Sequence, residues 1–386
     1  MTKPGPPRIA ILGGGPIGLE AALYAKRAGC TVTLFEQGQI AESVNRWGFA
    51  RMFTPFGSNA TSLGKQALRD DRTVPDLPTD TEYLTGREFR DAYLLPLASG
   101  ILKESIRTPA AVLGIGRANW RKTDSPDPRK PLPPFRLLVR EANNVERFEV
   151  ADVVLDCTGT HTRPNWVGDG GIPAAGEIAA RPQLPYWLED VRAAKKATYS
   201  GKSVILIGSG YSAATTICGL AELAEENQST WVIWLTRGNR TQPLSRLAND
   251  PYKERDRLAA RANQLATRCD GNLEYHAQTQ IDELICHGPD KGFRVAGRIA
   301  GKPMSWEVEK VIANVGYRAD LNLTAELRVA EPHGDFRTDE PGYYILGAKS
   351  HGRNSEFLLQ QGHEQIRRVL GAILNQSRID LYANAA

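Results

Sequence analysis

The feature that most constrains the fold is a glycine-rich segment near the start of the 386-residue chain. Apolar residues 9–12 have the character of a buried parallel strand and lead directly into Gly13-x-Gly15-x-x-Gly18, after which residues 19–27 have a helical pattern. In such a unit the first glycine permits a tight turn, the second lets a pyrophosphate approach the backbone, and the third lets helix and strand pack closely. The segment therefore predicts a βαβ unit that binds a dinucleotide.

The second strand of this unit is followed by an acidic residue. Residues 31–35 have a strand pattern, and Glu36 comes next, 18 residues after Gly18. A carboxylate at this position can accept a hydrogen bond from a ribose hydroxyl, while the N–H groups at the start of the helix face the phosphates. The order of these elements is thus that of a dinucleotide site: strand, glycine loop, helix, second strand and acidic residue. A glycine-rich turn without a ligand is the alternative.

The same arrangement begins again about 195 residues later. Apolar residues 203–207 run into Gly208-x-Gly210-Tyr211-Ser212-Ala213, and a helical pattern continues through Leu223. Alanine replaces the third glycine, which the dinucleotide fingerprint tolerates. The chain therefore contains two predicted dinucleotide units.

The two units differ at the end of their second strand. In the second unit the strand pattern of residues 231–235 is followed by Thr236-Arg237, with Arg240 close by, where the first unit has Glu36. An arginine can neutralise a 2′-phosphate, which a carboxylate would repel. This favours NADP(H) over NAD(H) for the second unit; an ordinary surface arginine is the alternative.

Composition excludes several other classes of protein. The formal charge of +4 is small, and the charges are interspersed, so we expect no nucleic-acid partner. The first eight residues lack an apolar core, and no apolar run approaches the roughly 20 residues of a bilayer span. We expect a soluble cytoplasmic protein with no membrane partner. The five cysteines are odd in number, and none has CxxC spacing, so neither a disulfide framework nor a metal site is predicted; they are Cys30, Cys157, Cys218, Cys269 and Cys286.

Glycines also follow several later strand patterns. Residues 153–156 lead into Cys157-Thr158-Gly159, residues 311–315 lead into Gly316-Tyr317, and residues 342–346 lead into Gly347. A glycine at such a crossing allows the backbone to approach a bound molecule closely. Other predicted strands are 110–117, 135–140, 146–152, 273–278, 292–299 and 304–310, and predicted helices are 86–106, 250–267 and 354–373.

Residues 45–63 have neither helical nor strand periodicity. Their mixture of aromatic and turn residues, including Trp47 and Arg51, suits a loop that lines a flat aromatic ligand. A small cluster of core residues under a long loop is the alternative.

Two dinucleotide units, with a final strand, glycine and helix after the second, resemble the FAD- and NADPH-binding flavoproteins that include thioredoxin-reductase-like enzymes and flavin-containing monooxygenases. The resemblance covers essentially the whole chain. It implies an α/β fold with two Rossmann-like domains, in which an NADPH domain at 166–317 is inserted into an FAD domain made of 1–165 and 318–386. It also suggests a homodimer.

The resemblance assigns residues to each cofactor by matching motifs. The matching motifs are the glycine loops, the strand ends, the segment around Trp47 and the glycine crossings. For FAD these residues are Gly13, Gly15, Pro16, Ile17, Gly18, Glu36, Gln37, Trp47, Arg51, Val112, Thr158, Gly159, Gly347 and Leu358, and for NADPH they are Gly208, Gly210, Tyr211, Ser212, Ala213 and Arg237.

Departures from the family's motifs narrow the range of reactions that the chain could catalyse. Thioredoxin-type reductases use a close dithiol, which is absent, and the related reductases of small disulfides have a cysteine in the first glycine loop, where this chain has Pro16-Ile17. Cys157 fits a buried structural thiol better than a reactive one. The FxGxxxHxxxW signature of many flavin monooxygenases is also missing, which implies a divergent member.

Monooxygenation fits what remains, because a reduced flavin can form a C4a-hydroperoxide with molecular oxygen and needs no side-chain nucleophile. We expect a small-molecule substrate. The alternative is a dithiol-free reductase of an external acceptor such as a small disulfide, a quinone or a ferredoxin-like protein. A non-enzymatic nucleotide-binding module is a third reading, which the intact second glycine unit disfavours.

No catalytic residue is evident from the sequence, but several polar residues flank the glycine crossings. They could tune the flavin or hold a proton, and each could equally be a loop residue with a surface role. These candidates are His161, Asn165, Arg51, His351 and Arg353.

Overall fold

The computed structural model describes residues 5–71, 76–124, 131–268, 271–354, 356–376 and 378–383. The chain forms two units: the first contains the chain up to Arg163 and from Arg318 onward, and the second is Pro164–Tyr317. The first unit is therefore discontinuous in sequence and the second is continuous. Within the described residues, no helix is both long and apolar enough to cross a bilayer. Cys269 lies outside the described residues.

The first part of the first unit begins with a βαβ unit, which is followed by a group of short helices and then by five strands. In chain order it contains β1 (Arg8–Leu12), α1 (Pro16–Arg27), β2 (Thr31–Phe35), α2 (Glu42–Arg46), α3 (Phe56–Asn59), α4 (Ser62–Asp70), α5 (Gly86–Phe89), α6 (Leu95–Ser99), β3 (Ile106–Arg107), β4 (Ala110–Arg117), β5 (Phe135–Glu141), β6 (Glu146–Ala151) and β7 (Val153–Asp156).

The second unit and the return of the chain to the first unit supply the remaining elements. The second unit contains α7 (Glu177–Ala180), α8 (Lys196–Tyr199), β8 (Ser203–Ile207), α9 (Tyr211–Glu226), β9 (Trp231–Leu235), α10 (Lys253–Arg268), β10 (Leu273–His276), β11 (Thr279–Cys286), β12 (Phe293–Ile299), β13 (Lys302–Val308) and β14 (Lys310–Ala313). The first unit then resumes with β15 (Tyr343–Ile345), a 3₁₀ segment at Gly347–His351 and α11 (Leu359–Ile373).

The main sheet of the first unit is parallel, in the order β15-β7-β1-β2-β3. Its central strands are apolar and buried on both faces, as parallel strands covered by helices are. Leu12 at the end of β1 pairs in register with Phe35 of β2 and with Asp156 of β7, which in turn pairs with Ile345 of β15. The loops that follow these four strands therefore lie at one edge of the sheet.

The second unit repeats this layout on a smaller scale. Its parallel sheet has the order β10-β9-β8-β14, with Ile207 of β8 in register with Leu235 of β9 and Ala313 of β14. Each unit also has an antiparallel three-stranded sheet, β4-β5-β6 in the first and β11-β12-β13 in the second. Each parallel sheet thus presents the carboxyl ends of its strands at a single edge, where ligands bind in open α/β sheets.

Several secondary-structure predictions are confirmed, and others are wrong. The strands predicted at 110–117, 153–156, 203–207 and 231–235 have those bounds. The helix predicted over 86–106 ends at Gly100, because the chain then turns into a 3₁₀ segment and β3.

Two further predictions are wrong. Residues 45–63, which showed no periodicity, contain α3 and begin α4, whose N-cap Thr61 accepts a hydrogen bond from Gly64 N. Only α4 of these two has a side-chain cap, and it buries Leu63, Ala67 and Leu68. The strands predicted at 304–310 and 311–315 are β13 and β14 with shifted bounds, whereas β11 was missed by the prediction.

Candidate dinucleotide-binding sites

The first glycine loop is shaped by contacts that only glycine permits. Gly13 has φ +97°, and a Cβ placed on it would lie 2.7 Å from Cys157 O. A Cβ on Gly18 would overlap Gly13 O. Gly15 differs, because a Cβ there would meet no atom within 4 Å. Gly13 and Gly18 are thus required by packing, whereas Gly15 borders open space.

This open space lies at the start of α1. Gly15 is the N-cap of the helix, has extended backbone and provides no side-chain cap, and Pro16 takes the first helical position. The N–H groups of a helix's first turn have no partner within the helix, and their dipole favours an anion. The site therefore has the geometry and charge to accept the pyrophosphate of a dinucleotide.

Glu36 stands beside this loop. Its Oε2 accepts a hydrogen bond from Gly14 N at 2.7 Å, and its Oε1 accepts one from Gly38 N at 2.8 Å. These contacts hold the carboxylate at the end of β2, while neighbouring Gln37 is exposed. Sequence reasoning missed Gly14, where a Cβ would lie 3.2 Å from the Cβ of Glu36. Three adjacent glycines were the signal that could have identified it.

Two glycine crossings meet at the same sheet edge. Cys157 N donates to Leu12 O at 2.9 Å, and Leu346 N donates to Asp156 O at 2.9 Å. Gly159 has φ +68° and open space where a Cβ would be, whereas a Cβ on Gly347 would lie 3.2 Å from Ile17. The structure therefore brings together Gly13–Gly18, Glu36, Thr158–Gly159 and Gly347.

A buried ion pair that sequence reasoning missed joins these two crossings. Lys349 Nζ lies 2.6 Å from Asp156 Oδ2, and both side chains are 0% exposed. Tyr343 OH also donates to Asp156 Oδ2 at 2.7 Å, and Lys349 Nζ donates to Thr158 Oγ1 at 3.1 Å. Burial alone would raise the pKa of Asp156, but the Lys349 ammonium and the hydrogen bonds hold this pKa below its usual value. Asp156 is therefore a carboxylate at neutral pH.

The remaining predicted FAD residues have other surroundings. Trp47 is partly buried and packs against Gly86, and Arg51 is exposed and forms an isolated β-bridge with Thr85. Val112 lies in β4, in the antiparallel sheet, and packs against the core of that region. Leu358 is the N-cap of α11, and its N–H donates to Gln361 Oε1 at 2.8 Å.

The catalytic candidates are distributed over both units. His161 and Arg353 are exposed, and the His351 ring packs edge-on against Phe357 with centroids 5.4 Å apart. Asn165 belongs to the second unit, where its Nδ2 donates to Val315 O at 3.2 Å and to Tyr317 O at 3.4 Å. Its amide thus contacts the backbone of the Gly316 crossing.

Another buried cluster in the first unit was not predicted. Glu20 of α1 accepts hydrogen bonds from Thr61 Oγ1, at 3.0 Å, and from Tyr93 OH. Burial raises the Glu20 pKa to about 7, against the lowering effect of these hydrogen bonds. His363 of α11 is also buried, which lowers its pKa to about 4.

The second glycine loop repeats the first one closely. Gly208 has φ +137°, and a Cβ on it would overlap Asn314 O at the end of β14. Gly210 is the N-cap of α9, has extended backbone without a side-chain cap, and borders open space. Tyr211 and Ser212 occupy the first turn, and Ala213 is buried. This helix N-terminus also fits a pyrophosphate.

The side chains at the end of β9 are basic. Arg237 follows buried Thr236 and is exposed. Arg240, three residues on, donates to Ser245 Oγ, and its own carbonyl accepts a hydrogen bond from Tyr275 OH at 2.7 Å. Two arginines thus follow β9 within five residues, whereas Glu36 follows β2 directly in the first unit. Within the described ranges, no group of three or more His, Cys, Asp or Glu residues is arranged to hold a metal ion.

One known family model matches part of the chain. Residues 10–115 match the family model described as pyridine nucleotide-disulphide oxidoreductase. No curated protein sequence matched the chain.

Solved structures match at the level of the fold. The bacillithiol disulfide reductase Bdr (YpdA) of Bacillus cereus is 15% identical, with a TM-score of 0.70 over 96% of this chain and 99% of that one. Ornithine hydroxylase (PvdA) of Pseudomonas aeruginosa is 17% identical, with a TM-score of 0.68 over 96% of this chain and 99% of that one.

A third match is the ornithine N-hydroxylase KtzI of Kutzneria sp. 744, 16% identical, with a TM-score of 0.67 over 97% of this chain and 100% of that one. That structure is described as holding reduced FAD, NADP⁺ and L-ornithine. These findings confirm the predicted resemblance to the FAD- and NAD(P)-dependent oxidoreductases and the predicted α/β fold with two dinucleotide-binding domains.

Proposed function

We propose that this chain is an FAD-dependent, NADPH-linked oxidoreductase, with FAD at the first glycine loop and NADPH at the second. The observation that carries the proposal is shared by the two loops. Each ends in a helix N-terminus that has no side-chain cap and open space beside its N-cap glycine, Gly15 or Gly210. Unpaired N–H groups need acceptors, and phosphate oxygens supply them.

The residues of the first unit suit FAD in a consistent way. The glycine loop admits the pyrophosphate, Glu36 accepts from a ribose hydroxyl, and the crossings at Gly159 and Gly347 permit close approach of the flavin. FAD supplies the electron-transfer chemistry when bound, while the protein binds it, orients it and excludes water.

For the reaction itself we propose oxygenation of a small molecule, with molecular oxygen as co-substrate. The likeness to two ornithine hydroxylases supports this. So does the state of Cys157, the cysteine beside the Thr158–Gly159 crossing, which is buried, and burial beside Asp156 raises its pKa well above the usual value. A thiol that stays protonated is a poor nucleophile for exchange with a disulfide.

The alternative is a reductase of an external acceptor without a dithiol of its own. The likeness to the bacillithiol disulfide reductase, which covers 99% of that chain, favours it. Such an enzyme would pass electrons directly from the flavin to the acceptor, so it would not need Cys157 to be reactive.

Transient absorbance measurements distinguish the two reactions. The purified holoprotein is reduced with NADPH without oxygen and then mixed with aerated buffer in a stopped-flow instrument. We expect a transient species, distinct from oxidised and reduced flavin, that persists while NADP⁺ is bound. Amines, thioethers and ketones would then be screened as substrates.

Two other outcomes have a clear meaning. Rapid, direct return to oxidised flavin, together with fast turnover of a small disulfide or a quinone, would replace the oxygenase proposal with the reductase. A flavin that NADPH does not reduce, or a protein that binds no FAD, would contradict the broader proposal.

A further inference from the structure

We propose that the buried Asp156–Lys349 ion pair positions the flavin cofactor by clamping the Thr158–Gly159 crossing to the segment that begins at Gly347. This inference rests on the proposed binding of FAD to the first unit. Asp156 and Lys349 are positioning residues in this proposal, since they act through the backbone and side chain of Thr158.

The geometry of the pair supports the clamp. Asp156 Oδ1 accepts hydrogen bonds from Thr158 N at 3.1 Å and from Thr158 Oγ1 at 2.7 Å. Its Oδ2 accepts from Tyr343 OH and from Lys349 Nζ. Because Lys349 Nζ also donates to Thr158 Oγ1, the carboxylate and the ammonium hold the same threonine from two sides. A single buried carboxylate thus fixes two stretches of chain 193 residues apart.

The clamped threonine lies on the exposed side of this arrangement. Thr158 is exposed, and Gly159 next to it borders open space, whereas Asp156 and Lys349 are 0% exposed. Gly13 packs against the carbonyl group of Cys157, the residue immediately before Thr158. A Cβ placed on Gly13 would lie 2.7 Å from that carbonyl oxygen. A shift of this crossing would therefore also disturb the glycine loop.

Stability alone does not account for such a pair. Removing two charges from water costs several kcal/mol per ion, and apolar residues of similar volume commonly replace a buried pair without loss of stability. What apolar residues cannot replace is the set of directional hydrogen bonds that fixes Thr158. The pair is therefore expected to matter more for cofactor binding than for folding.

The first unit contains a matched control. Arg117 and Glu340 form a second buried ion pair, 2.6 Å apart with side chains 6% and 9% exposed. Arg117 also donates to the carbonyls of Pro133 and Pro341 and stacks on Phe135, at the opposite end of β4 from Ala110. These contacts of Arg117 do not involve Thr158, Gly159 or Gly347. Removing either cation leaves one buried carboxylate unpaired.

The test measures FAD binding and stability separately. Lys349→Met and Arg117→Met are prepared as apoproteins, and their FAD dissociation constants and thermal unfolding are compared with those of the wild type. Both variants should lose thermal stability. Only Lys349→Met should bind FAD more weakly, by about tenfold, the effect expected from losing one charge-assisted hydrogen bond.

Two more variants keep the proposal open to refutation if Lys349→Met does not fold. Thr158→Val removes the hydroxyl that donates to Asp156 and accepts from Lys349, but it leaves the ion pair itself intact. It should weaken FAD binding while costing less thermal stability than Lys349→Met. The triple variant Asp156→Leu, Tyr343→Phe, Lys349→Met replaces the cluster with apolar groups. It should recover most of the thermal stability while its FAD affinity stays low, and the visible spectrum of its bound flavin should shift.

The outcomes separate this inference from the proposed function. Wild-type apoprotein that binds no FAD would contradict the proposed function. Wild-type affinity in Thr158→Val and in the triple variant would overturn the clamp while leaving FAD binding intact. Equal weakening in Arg117→Met would also overturn it, since the effect would then be one of general stability.

Discussion

The two glycine loops of this chain share a backbone design and differ in the side chains around it. In each loop the first glycine has positive φ and packs against a carbonyl from the neighbouring strand end, Cys157 O for Gly13 and Asn314 O for Gly208. In each, the N-cap glycine of the following helix borders open space. The shared part is therefore the part that would meet a pyrophosphate.

The side chains that secure the two strand ends differ in charge. In the first unit the buried Asp156–Lys349 pair holds the crossing. In the second, Asn314 accepts a hydrogen bond from Thr216 at 2.7 Å and donates one to Trp187 O at 3.3 Å. Neutral groups therefore hold the strand end in the second unit. From this comparison we expect the shared backbone to bind a pyrophosphate, and the neighbouring side chains to determine which dinucleotide binds and how firmly the site is fixed.

The largest expected effect is on stability and concerns the third glycine position of the loops, which is Gly18 in the first loop and Ala213 in the second. Gly18→Ala would place a Cβ on the backbone oxygen of Gly13, which cannot move without opening the loop. We expect a loss of more than about 4 kcal/mol in the free energy of unfolding, or no folded protein. Ala213→Gly, at the matching position of the second loop, should cost only about 1 kcal/mol. Thermal unfolding measures both, and a Gly18→Ala protein as stable as the wild type would show that the loops are interchangeable.

The next effect is the pH dependence of the stability of the first unit. The pKa of Glu20 is about 7 when folded against 4.5 as its ordinary value, so its contribution to stability is lost as pH rises from 4.5 to 7. The pKa of His363 is about 4 against 6.5, so its contribution is lost as pH falls from 6.5 to 4. Each is worth up to about 3 kcal/mol, and the two oppose each other.

Substitution separates these opposing contributions. Glu20→Gln should make stability rise steeply with pH between 4 and 6.5, and His363→Gln should make it fall between 4.5 and 7. Denaturant unfolding across this range measures both slopes. In the second unit the pKa of Cys218 is raised to about 11, far above this range. Parallel slopes in the two variants would contradict the assignment.

A third effect concerns the acidic strand end. Glu36→Ala removes the acceptor for Gly14 N and Gly38 N as well as the proposed acceptor for the ribose. We expect FAD affinity to fall about a hundredfold and the purified protein to lose most of its yellow colour. Glu42→Ala, which removes an exposed glutamate paired with Arg46, is the control and should retain its flavin. Full flavin retention in Glu36→Ala would refute the role of Glu36.

The smallest effect concerns the basic strand end. Arg237→Ala should raise the KM for NADPH about tenfold and leave the KM for NADH nearly unchanged, because only NADPH carries the 2′-phosphate. Arg246→Ala, which removes an exposed arginine paired with Asp256, should change neither value. If Arg237→Ala weakened both nucleotides equally, the preference for NADPH would have to come from other residues.

Much of this arrangement was predictable from local patterns. Strands β7, β8 and β9 are short apolar runs bounded by turn residues or glycines, so their bounds follow from the sequence. The two glycine loops are equally local. The end of the helix at Gly100 and the short helices of residues 45–63 were not predicted. Phe56 of α3 packs against Phe89 and Tyr93, and such tertiary contacts leave no periodic trace in the sequence.

The buried charges could not be predicted in this way. Lysine is almost always exposed unless it is paired, and the partner of Lys349 is 193 residues away in the sequence. Glu20 lies in a helix whose other face is apolar, and only the structure brings Tyr93 and Thr61 to it. The pattern of a single sequence records which residues are apolar, but it does not record which polar residues meet.

The discontinuity of the first unit has a consequence for synthesis on the ribosome. Strand β7 pairs on one side with β1 and on the other with β15, which the ribosome adds only after the whole of the second unit. Until then β7 has an unpaired edge, a place where nascent chains associate wrongly, and Asp156 lacks Lys349. The continuous second unit can complete its sheet first. The domain that starts the polypeptide is therefore the last to finish folding.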